Sequence, residues 1–250
     1  MSRRLWLLLP AWEEGRSLPP LLTDVRAMLS SWRDAWPCRV VVVDDGSTDD
    51  TKNKARSVQG LDVEVLVHPE NRGLGAAMRT GIEHVLAAAG PDDVLVSMDA
   101  DHTHPPELIP RMLDRIESGA DLVIASRFQP GASVHGLDRT RIVTSQLASW
   151  LLRMVFPGAR DYTCGYRAYR VSLLRWGQAT YGREFLNQPG FAVMVDLLLK
   201  LRRKARRIDE VPLTLRYDRK VSTSKMKVAQ TSATTLALMA RRFRGDPRGP

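Results

Sequence analysis

Cysteine is scarce in this sequence of 250 residues, and no run of apolar residues is long. Because Cys38 and Cys164 are its only cysteines, a disulfide framework is excluded as the basis of the fold, and a reducing cytoplasm fits. No apolar run reaches about 18 residues, so we expect no membrane-spanning helix. The sequence has no internal repeats or low-complexity segments. These absences leave an ordinary globular protein with one large core.

Aromatic residues are also few, at 6% of the sequence, and no familiar nucleic-acid-binding motif is present. The net charge of +9 is therefore a weak indication of a nucleic-acid partner. The charge is concentrated, since residues 200–250 hold 15 of the 37 Lys and Arg residues but only four of the 28 Asp and Glu residues. A basic end favours an anionic target such as a membrane leaflet; a solvated face is the alternative.

Short apolar segments alternate with longer segments of helical spacing through the first half of the chain. The predicted strands are 5–9, 39–43, 63–67, 94–98 and 122–125, and the predicted helices are 18–32, 76–89 and 107–117. This alternation predicts an α/β fold with a mostly parallel sheet covered by helices on both faces. Further along, we expect helices at 138–156, 191–204 and 225–243 and a strand at 208–215.

Acidic clusters follow two of the predicted strands, where ligands bind in parallel sheets. Asp44 and Asp45 begin a polar turn that favours a base or ribose ligand, although an Asx-type turn also explains it. Asp99 and Asp101 form a D-x-D pattern. Two such carboxylates suit Mg²⁺ or Mn²⁺ together with substrate phosphates.

Other polar residues near these strand ends each allow two interpretations, one structural and one functional. Residues 71–77 contain two glycines before a helix and are interpreted mainly as a packing turn, with a phosphate cradle as the alternative. His102 and His104 are interpreted as structural hydrogen bonders or as metal or phosphate ligands. Cations that match phosphate oxygens form two groups. Arg127, Arg139 and Arg141 surround a predicted loop at 129–136, and Arg219, Lys220 and Lys225 lie in a Ser/Thr-rich loop.

In this order and spacing, the motifs resemble the family 2 glycosyltransferases of the GT-A fold, and most closely the dolichol- or polyprenol-phosphate mannose synthases. The resemblance runs from about Leu5 to about Met226. It implies a Rossmann-like nucleotide-binding half plus an acceptor half. We expect a single catalytic domain over residues 1–215, then a basic loop and tail helix over 216–250 at the membrane surface.

The resemblance also implies roles for individual residues. The expected donor-binding residues are Pro10, Trp12, Glu14, Val43, Asp45, Asp99, Ala100, Asp101, Arg219 and Lys225. The acceptor phosphate would be bound by Arg127, Arg141 and Ser145, and the metal by Asp101, Asp99 and Thr103. Asp99, Asp101 and Arg127 are the expected catalytic residues. Trp12 stands where relatives usually have Tyr, and Thr103 stands where several mannose synthases have Gln.

The implied reaction is inverting transfer of a sugar, with GDP-mannose as the leading donor, to a polyprenyl or dolichyl phosphate with Mg²⁺ or Mn²⁺. The expected location is the cytoplasmic face of an anionic membrane, with peripheral attachment and no nucleic-acid partner. Glucosyl transfer from UDP-glucose is one alternative. A soluble hydroxyl acceptor, with Asp161 as the base, is another, and a non-catalytic nucleotide-sugar-binding subunit is a third.

Overall fold

A seven-stranded sheet forms the centre of the computed structural model, which describes residues 3–32, 36–136 and 158–220. The strands of both sheets are β1 Leu5–Ala11, β2 Cys38–Asp44, β3 Asp62–Val67, β4 Val94–Ser97, β5 Leu122–Ser126, β6 Ser133–His135, β7 Arg167–Arg170, β8 Ile208–Pro212 and β9 Thr214–Arg216. The α-helices are α1 Leu18–Ser31, α2 Thr51–Arg56, α3 Leu74–Ala88, α4 Ile109–Glu117, α5 Val171–Tyr181 and α6 Ala192–Leu201.

The strand order in the large sheet is β3-β2-β1-β4-β7-β5-β8. Strand β7 runs antiparallel to both of its neighbours, and the other pairings in this sheet are parallel. Strands β6 and β9 form a small parallel sheet of their own. The prediction of a mostly parallel sheet is therefore confirmed.

Two elements differ from the predicted ones. The segment 208–215 is split between the two sheets, because the chain leaves the large sheet after Pro212 and Leu213 then bonds to both Ser126 and Ser133. The helix expected from residue 107 begins at Ile109, after a 3₁₀ turn at Pro106–Leu108. No prediction covers α5, and the helices expected at 138–156 and 225–243 lie outside the described residues.

The core lies on both faces of the large sheet, and β1, β2, β4 and β5 are almost completely buried. Helix α3 approaches the sheet closely at a glycine. A Cβ on Gly81 would lie 2.2 Å from Leu8 Cδ1 of β1. At the start of the same helix, a Cβ on Gly75 would lie 2.1 Å from the Gln188 carbonyl oxygen, so this glycine allows close contact with the loop before α6. Over the ranges that the structure describes, no helix combines the length and apolar character needed to cross a membrane.

Strand register brings the candidate ligand-binding loops to one edge. Ala11 pairs with Asp44, and Leu8 pairs with Ser97, so β1, β2 and β4 end side by side. Their carboxyl ends deliver the segments 12–17, 44–50 and 98–105 to a common cleft, as expected for ligand binding in an open α/β sheet.

Candidate active site

Hydrogen bonds join the loops that follow β1 and β2. Glu13 N donates to Ser47 Oγ at 2.9 Å, and Thr48 N donates to Glu13 Oε1 at 2.6 Å. Glu14 N donates to Thr51 Oγ1 at 2.9 Å. These bonds fix two separate loops against each other, so that one wall of the cleft is preorganised.

Asp45 holds the glycine turn that begins α3. Its carboxylate accepts the Arg72 and Gly73 backbone N–H groups at 3.0 and 2.7 Å. His68 Nδ1 lies 2.6 Å from Asp45 Oδ1, and His68 Nε2 lies 2.9 Å from Thr80 Oγ1. The predicted donor residue Asp45 is only 3% exposed, so three protein partners already occupy much of its acceptor capacity. Sequence reasoning missed His68, which lies outside every motif.

The neighbouring aspartate has a simpler geometry. Asp44 Oδ1 accepts the Ser47 N–H at 3.0 Å, which is the Asx-type turn that the sequence offered as one interpretation. Gly46 lies inside this turn at φ +69°, and a Cβ there would come within 2.2 Å of the Glu70 carbonyl carbon. The turn therefore requires glycine at this position.

Other predicted donor-binding residues differ in how much of each residue is exposed to solvent. Trp12, directly after β1, is 39% exposed. Pro10 is half-buried and Glu14 is buried. Val43 and Ala100 have almost no exposed surface, and their predicted role in donor binding stays a prediction.

The D-x-D turn places two carboxylates in different environments. Asp101 Oδ1 accepts the Thr103 N–H and hydroxyl at 3.1 and 2.7 Å, and Asp101 Oδ2 lies 2.5 Å from Lys220 Nζ. The Asp99 carboxylate lies 4.0 Å from His104 Nε2. The predicted metal residue Thr103 thus acts here as a donor that orients Asp101.

These environments shift the two pKa values in opposite directions. Desolvation in the cleft raises the pKa of Asp99, although His104 opposes the shift. Burial also acts to raise the pKa of Asp101, but the Lys220 charge and hydrogen bond outweigh it and hold that pKa below its ordinary value. Asp101 is therefore the more firmly ionised carboxylate of the pair.

Both histidines of the turn act as structural hydrogen bonders. His102, in the left-handed region at φ +65°, places Nε2 2.8 Å from Asp24 Oδ2 on α1. The same Asp24 oxygen accepts Arg219 Nη1 at 3.2 Å. His104 Nδ1 accepts the Asp99 N–H at 3.1 Å, and its ring stacks on Tyr166. Asp24 therefore joins the D-x-D turn to the segment that carries Arg219.

On the acceptor half, Arg127 forms a two-pronged ion pair with Asp161. Arg127 Nε and Nη2 each donate to the Asp161 carboxylate at 2.8 Å, and Nη2 also donates to Thr163 Oγ1 at 2.6 Å. Asp161 is fully buried, whereas 21% of the Arg127 side chain is exposed. Burial acts to raise the pKa of Asp161, but the Arg127 charge and hydrogen bonds dominate and lower it.

A second carboxylate supports this pair from behind. Glu210 Oε1 accepts the backbone N–H groups of Arg160 and Asp161 at 2.7 and 2.9 Å, and Gln129 Nε2 donates to Glu210 Oε2 at 3.1 Å. Burial raises the pKa of Glu210. Sequence reasoning assigned no role to Glu210.

The two carboxylate clusters face the same cleft. A Cβ on Gly165, which follows Asp161 in the same loop, would lie 3.3 Å from Asp99 Oδ1. Ser97 Oγ donates to the Gly165 carbonyl oxygen at 2.7 Å. The structure therefore brings together Asp99, Asp101 and Arg127, the three residues that the sequence predicted to be catalytic. Arg141, Ser145 and Lys225 lie outside the described residues, as does Arg139.

The residues present fit a hard divalent cation that also binds substrate. Mg²⁺ and Mn²⁺ usually take one or two protein carboxylates, with phosphates and waters completing the shell. Asp99 and Asp101 supply that number. Among the residues described, no group of three or more His, Cys, Asp or Glu side chains is arranged to hold a metal, so the D-x-D is an open site and not a closed cage.

Comparison with known proteins identifies the family. Residues 6–176 match the model for Glycosyl transferase family 2, and the chain belongs to this family. Polyprenol monophosphomannose synthase of Mycolicibacterium smegmatis is 32% identical over 229 residues, which cover 90% of this chain and 82% of that protein. Undecaprenyl-phosphate mannosyltransferase of Micrococcus luteus is 37% identical over 227 residues, covering 89% of this chain and 87% of that protein.

Solved structures confirm the fold. Glucosyl-3-phosphoglycerate synthase from Mycobacterium tuberculosis, crystallised with Mn²⁺, UDP and glucosyl-3-phosphoglycerate, superposes with a TM-score of 0.65 at 22% identity. The match covers 96% of this chain and 80% of that chain. The chain therefore has the GT-A-type α/β fold that the sequence predicted.

Proposed function

We propose that this protein transfers mannose from GDP-mannose to a polyprenyl phosphate with inversion of the anomeric centre. The two relatives named for mannosyl transfer to such lipids support this, because each aligns with about nine-tenths of the chain. The nucleotide would bind beside Trp12 and the loop after β2. The sugar would lie between the D-x-D and Arg127.

The observation that carries the proposal is the state of Arg127 and Asp161. Asp161 was the candidate base for the rival with a hydroxyl acceptor, but it is fully buried, bonded twice by Arg127 and held ionised at a lowered pKa. Its lone pairs are engaged, so it is a poor proton acceptor. The group that reaches the cleft is a cation, which matches an anionic nucleophile.

A phosphate acceptor needs no strong base. Its second pKa is about 6, so it is largely a dianion at neutral pH. Catalysis then rests on alignment and charge neutralisation. Arg127 would orient the attacking phosphate opposite the leaving diphosphate, and Arg141 and Ser145 would contribute to the same phosphate site. Attack from that side inverts the anomeric centre.

Asp101 and Asp99 would hold Mg²⁺ or Mn²⁺, with Thr103 orienting the Asp101 carboxylate. When bound, such a cation neutralises charge on a leaving diphosphate. Arg219 and Lys225 would add positive charge from the segment that follows β9. The basic residues 216–250 would attach the protein to an anionic leaflet on the cytoplasmic side, where a lipid acceptor is accessible.

A transfer assay tests the proposal. Purified protein is given GDP-mannose or, separately, UDP-glucose, with undecaprenyl phosphate, detergent and Mn²⁺, and the labelled lipid is extracted. We expect mannosyl lipid from GDP-mannose and its loss in Asp101→Asn. Asp114→Asn, an exposed site on α4, is the matched control and should retain activity. Transfer from UDP-glucose alone would overturn the choice of donor.

A further inference from the structure

A lysine ammonium group lies directly on the carboxylate of Asp101. Lys220 Nζ is 2.5 Å from Asp101 Oδ2, and the two side chains are only 14% and 12% exposed. Ion pairs on an open surface are worth little because water and salt screen them, whereas this pair is largely shielded. It is the contact that most directly occupies the D-x-D.

The geometry leaves little room for a second cation on the same oxygen. Asp101 Oδ1 already accepts the Thr103 N–H and hydroxyl, so Oδ2 is the oxygen that faces outward. Divalent cations of this size sit about 2.1 Å from their oxygen ligands. A cation at that distance and the ammonium at 2.5 Å would compete for the same space, and their charges would repel.

Lys220 is placed to leave without disturbing the fold. It follows the 3₁₀ turn Tyr217–Arg219, outside the strands, and its Nζ lies 5.6 Å from the centre of the Tyr217 ring. Its four-carbon stem is flexible. The adjacent Arg219 is bonded separately to Asp24, so the turn stays anchored when the Lys220 side chain moves.

We propose that Lys220 is a resident counter-cation of the D-x-D, which occupies the divalent-cation position until metal and nucleotide arrive together. This rests on the proposed function, because it takes Asp101 as the metal ligand. Metal alone must expel the ammonium from its hydrogen bond with Asp101. Other carboxylates whose charges interact with Lys220 are Asp99, which would itself face the metal, and Glu14. A nucleoside diphosphate supplies a new anionic partner, since the displaced ammonium then pairs with phosphate oxygens. Metal and nucleotide should therefore bind cooperatively, and Lys220 is the positioning residue responsible.

Calorimetric titration with Mn²⁺, with and without GDP, tests this in the full-length protein. Wild type should bind Mn²⁺ weakly alone and at least about tenfold more tightly with GDP, a factor that corresponds to about 1.4 kcal/mol. Lys220→Met should bind Mn²⁺ alone roughly tenfold more tightly than wild type, and its GDP effect should be smaller than that of wild type by about the same factor, since only the direct contact of metal with phosphate remains. Lys220→Arg keeps the charge and should resemble wild type.

Two control variants distinguish displacement of the Lys220 ammonium from a general change in the electrostatic potential at the D-x-D. Arg216→Met removes a nearby charge of the same sign, whose guanidinium pairs with exposed Asp218, and Lys204→Met removes an exposed charge beyond the end of α6. Both should change Mn²⁺ affinity by less than about threefold, in keeping with screened charges. Equal tightening in Arg216→Met and Lys220→Met would overturn the proposal, as would wild-type affinity in Lys220→Met.

Wild type alone also tests the idea if Lys220→Met fails to fold, because equal Mn²⁺ affinity with and without GDP would contradict it. No sugar transfer is measured in these titrations. If the protein transfers no mannose but Lys220→Met changes Mn²⁺ binding as expected, only the proposed function is contradicted. If the protein transfers mannose but Lys220→Met binds Mn²⁺ like wild type, only the proposal about Lys220 is contradicted.

Discussion

At the scale of single residues, the acceptor half of the site depends on how Asp161 is satisfied. Its carboxylate accepts hydrogen bonds from backbone and side-chain donors of Arg127 and Thr163 and from the Cys164 N–H. A buried charge with so many donors is stable only while they remain in place. Asp161 therefore fixes the direction in which the Arg127 guanidinium points.

Replacing Asp161 by Asn should destabilise the protein in a pH-dependent way. The folded-state pKa of Asp161 is lowered, so its contribution is present above the unfolded pKa and is lost as pH falls through the folded value. We expect Asp161→Asn to reduce the unfolding free energy by about 3 kcal/mol at pH 7. The difference in unfolding free energy between Asp161→Asn and wild type should become smaller below about pH 4. Urea denaturation from pH 7 to pH 3 measures this, and a constant gap would contradict it.

At the scale of elements, the D-x-D turn is held by contacts from beyond its own strand. Asp24 on α1 accepts both His102 and Arg219, and the Thr103 carbonyl accepts the Arg216 N–H of β9 at 2.9 Å. His102 sits in the left-handed region, which is costly for a residue with a Cβ, so its neighbours must hold it there.

Loss of the Asp24 contact should impair the turn without unfolding the protein. Asp24→Asn keeps the shape but weakens both charge-assisted bonds. We expect the rate of sugar transfer to fall by about tenfold, as for other groups that orient metal ligands, with Mn²⁺ affinity in the presence of GDP falling in parallel. Thr23→Ala, on the exposed side of the same helix, is the control. An unchanged rate of sugar transfer in Asp24→Asn would show that the D-x-D turn keeps its conformation without the Asp24 contacts.

Helix α3 offers a test of packing. A Cβ on Gly75 would lie 2.1 Å from the Gln188 carbonyl oxygen, whereas one on Gly90 would meet nothing closer than 3.7 Å. Gly75→Ala should cost about 1–3 kcal/mol of unfolding free energy, as overpacked sites do. Gly90→Ala should change it by less than about 0.5 kcal/mol. Equal stability of the two variants in urea would contradict the close approach of α3 to the Gln188 carbonyl oxygen.

The elements that the sequence predicted well are those with a strong local signal. The valine-rich strand β2 and the apolar stripe of α4 repeat with a clear period, and both appear within two residues of their expected bounds. Strand β7 was harder because it carries charged Arg167 and Arg170 at its ends. Arg167 is nevertheless fully buried, with carbonyl oxygens as partners, and such tertiary satisfaction has no local signature.

The same limit applies to the site. Strand-end motifs predicted the positions of Asp45, Asp99 and Asp101, because β-strand ends converge in a parallel sheet. Asp24 could not be found in this way, since it lies within an ordinary amphipathic helix and acquires its role only when α1 packs beside the turn. The pairing of Lys220 with Asp101 spans 119 residues and likewise depends on the tertiary fold.

At the scale of the whole molecule, the described basic residues after 200 lie at two opposite edges of the large sheet. The exposed cluster at residues 203–207 precedes β8 and contacts the start of β5, so it lies at the amino edge of the sheet. Arg219 and Lys220 lie at the opposite edge, beside the D-x-D. A membrane that supplies the acceptor should therefore meet the charges from residue 216 onward.

Liposome flotation tests this division of charge. We expect the protein to float with anionic vesicles at low salt and to dissociate at high salt, since surface attraction is screened. Arg241→Gln with Arg242→Gln should weaken flotation more than Arg203→Gln with Lys204→Gln, and uncharged phosphatidylcholine vesicles are the control. Absence of flotation at low salt, or a stronger effect of the 203–204 pair, would contradict the proposed orientation.

The most direct test of the central claim compares two acceptors that differ only in their terminal group. GDP-mannose and Mn²⁺ are supplied with undecaprenyl phosphate or with undecaprenol, under the same detergent conditions. Because Arg127 presents a cation and Asp161 is committed to it, we predict transfer to the phosphate and none to the alcohol. Transfer to the alcohol at a comparable rate would require a base at the acceptor site and would contradict the account.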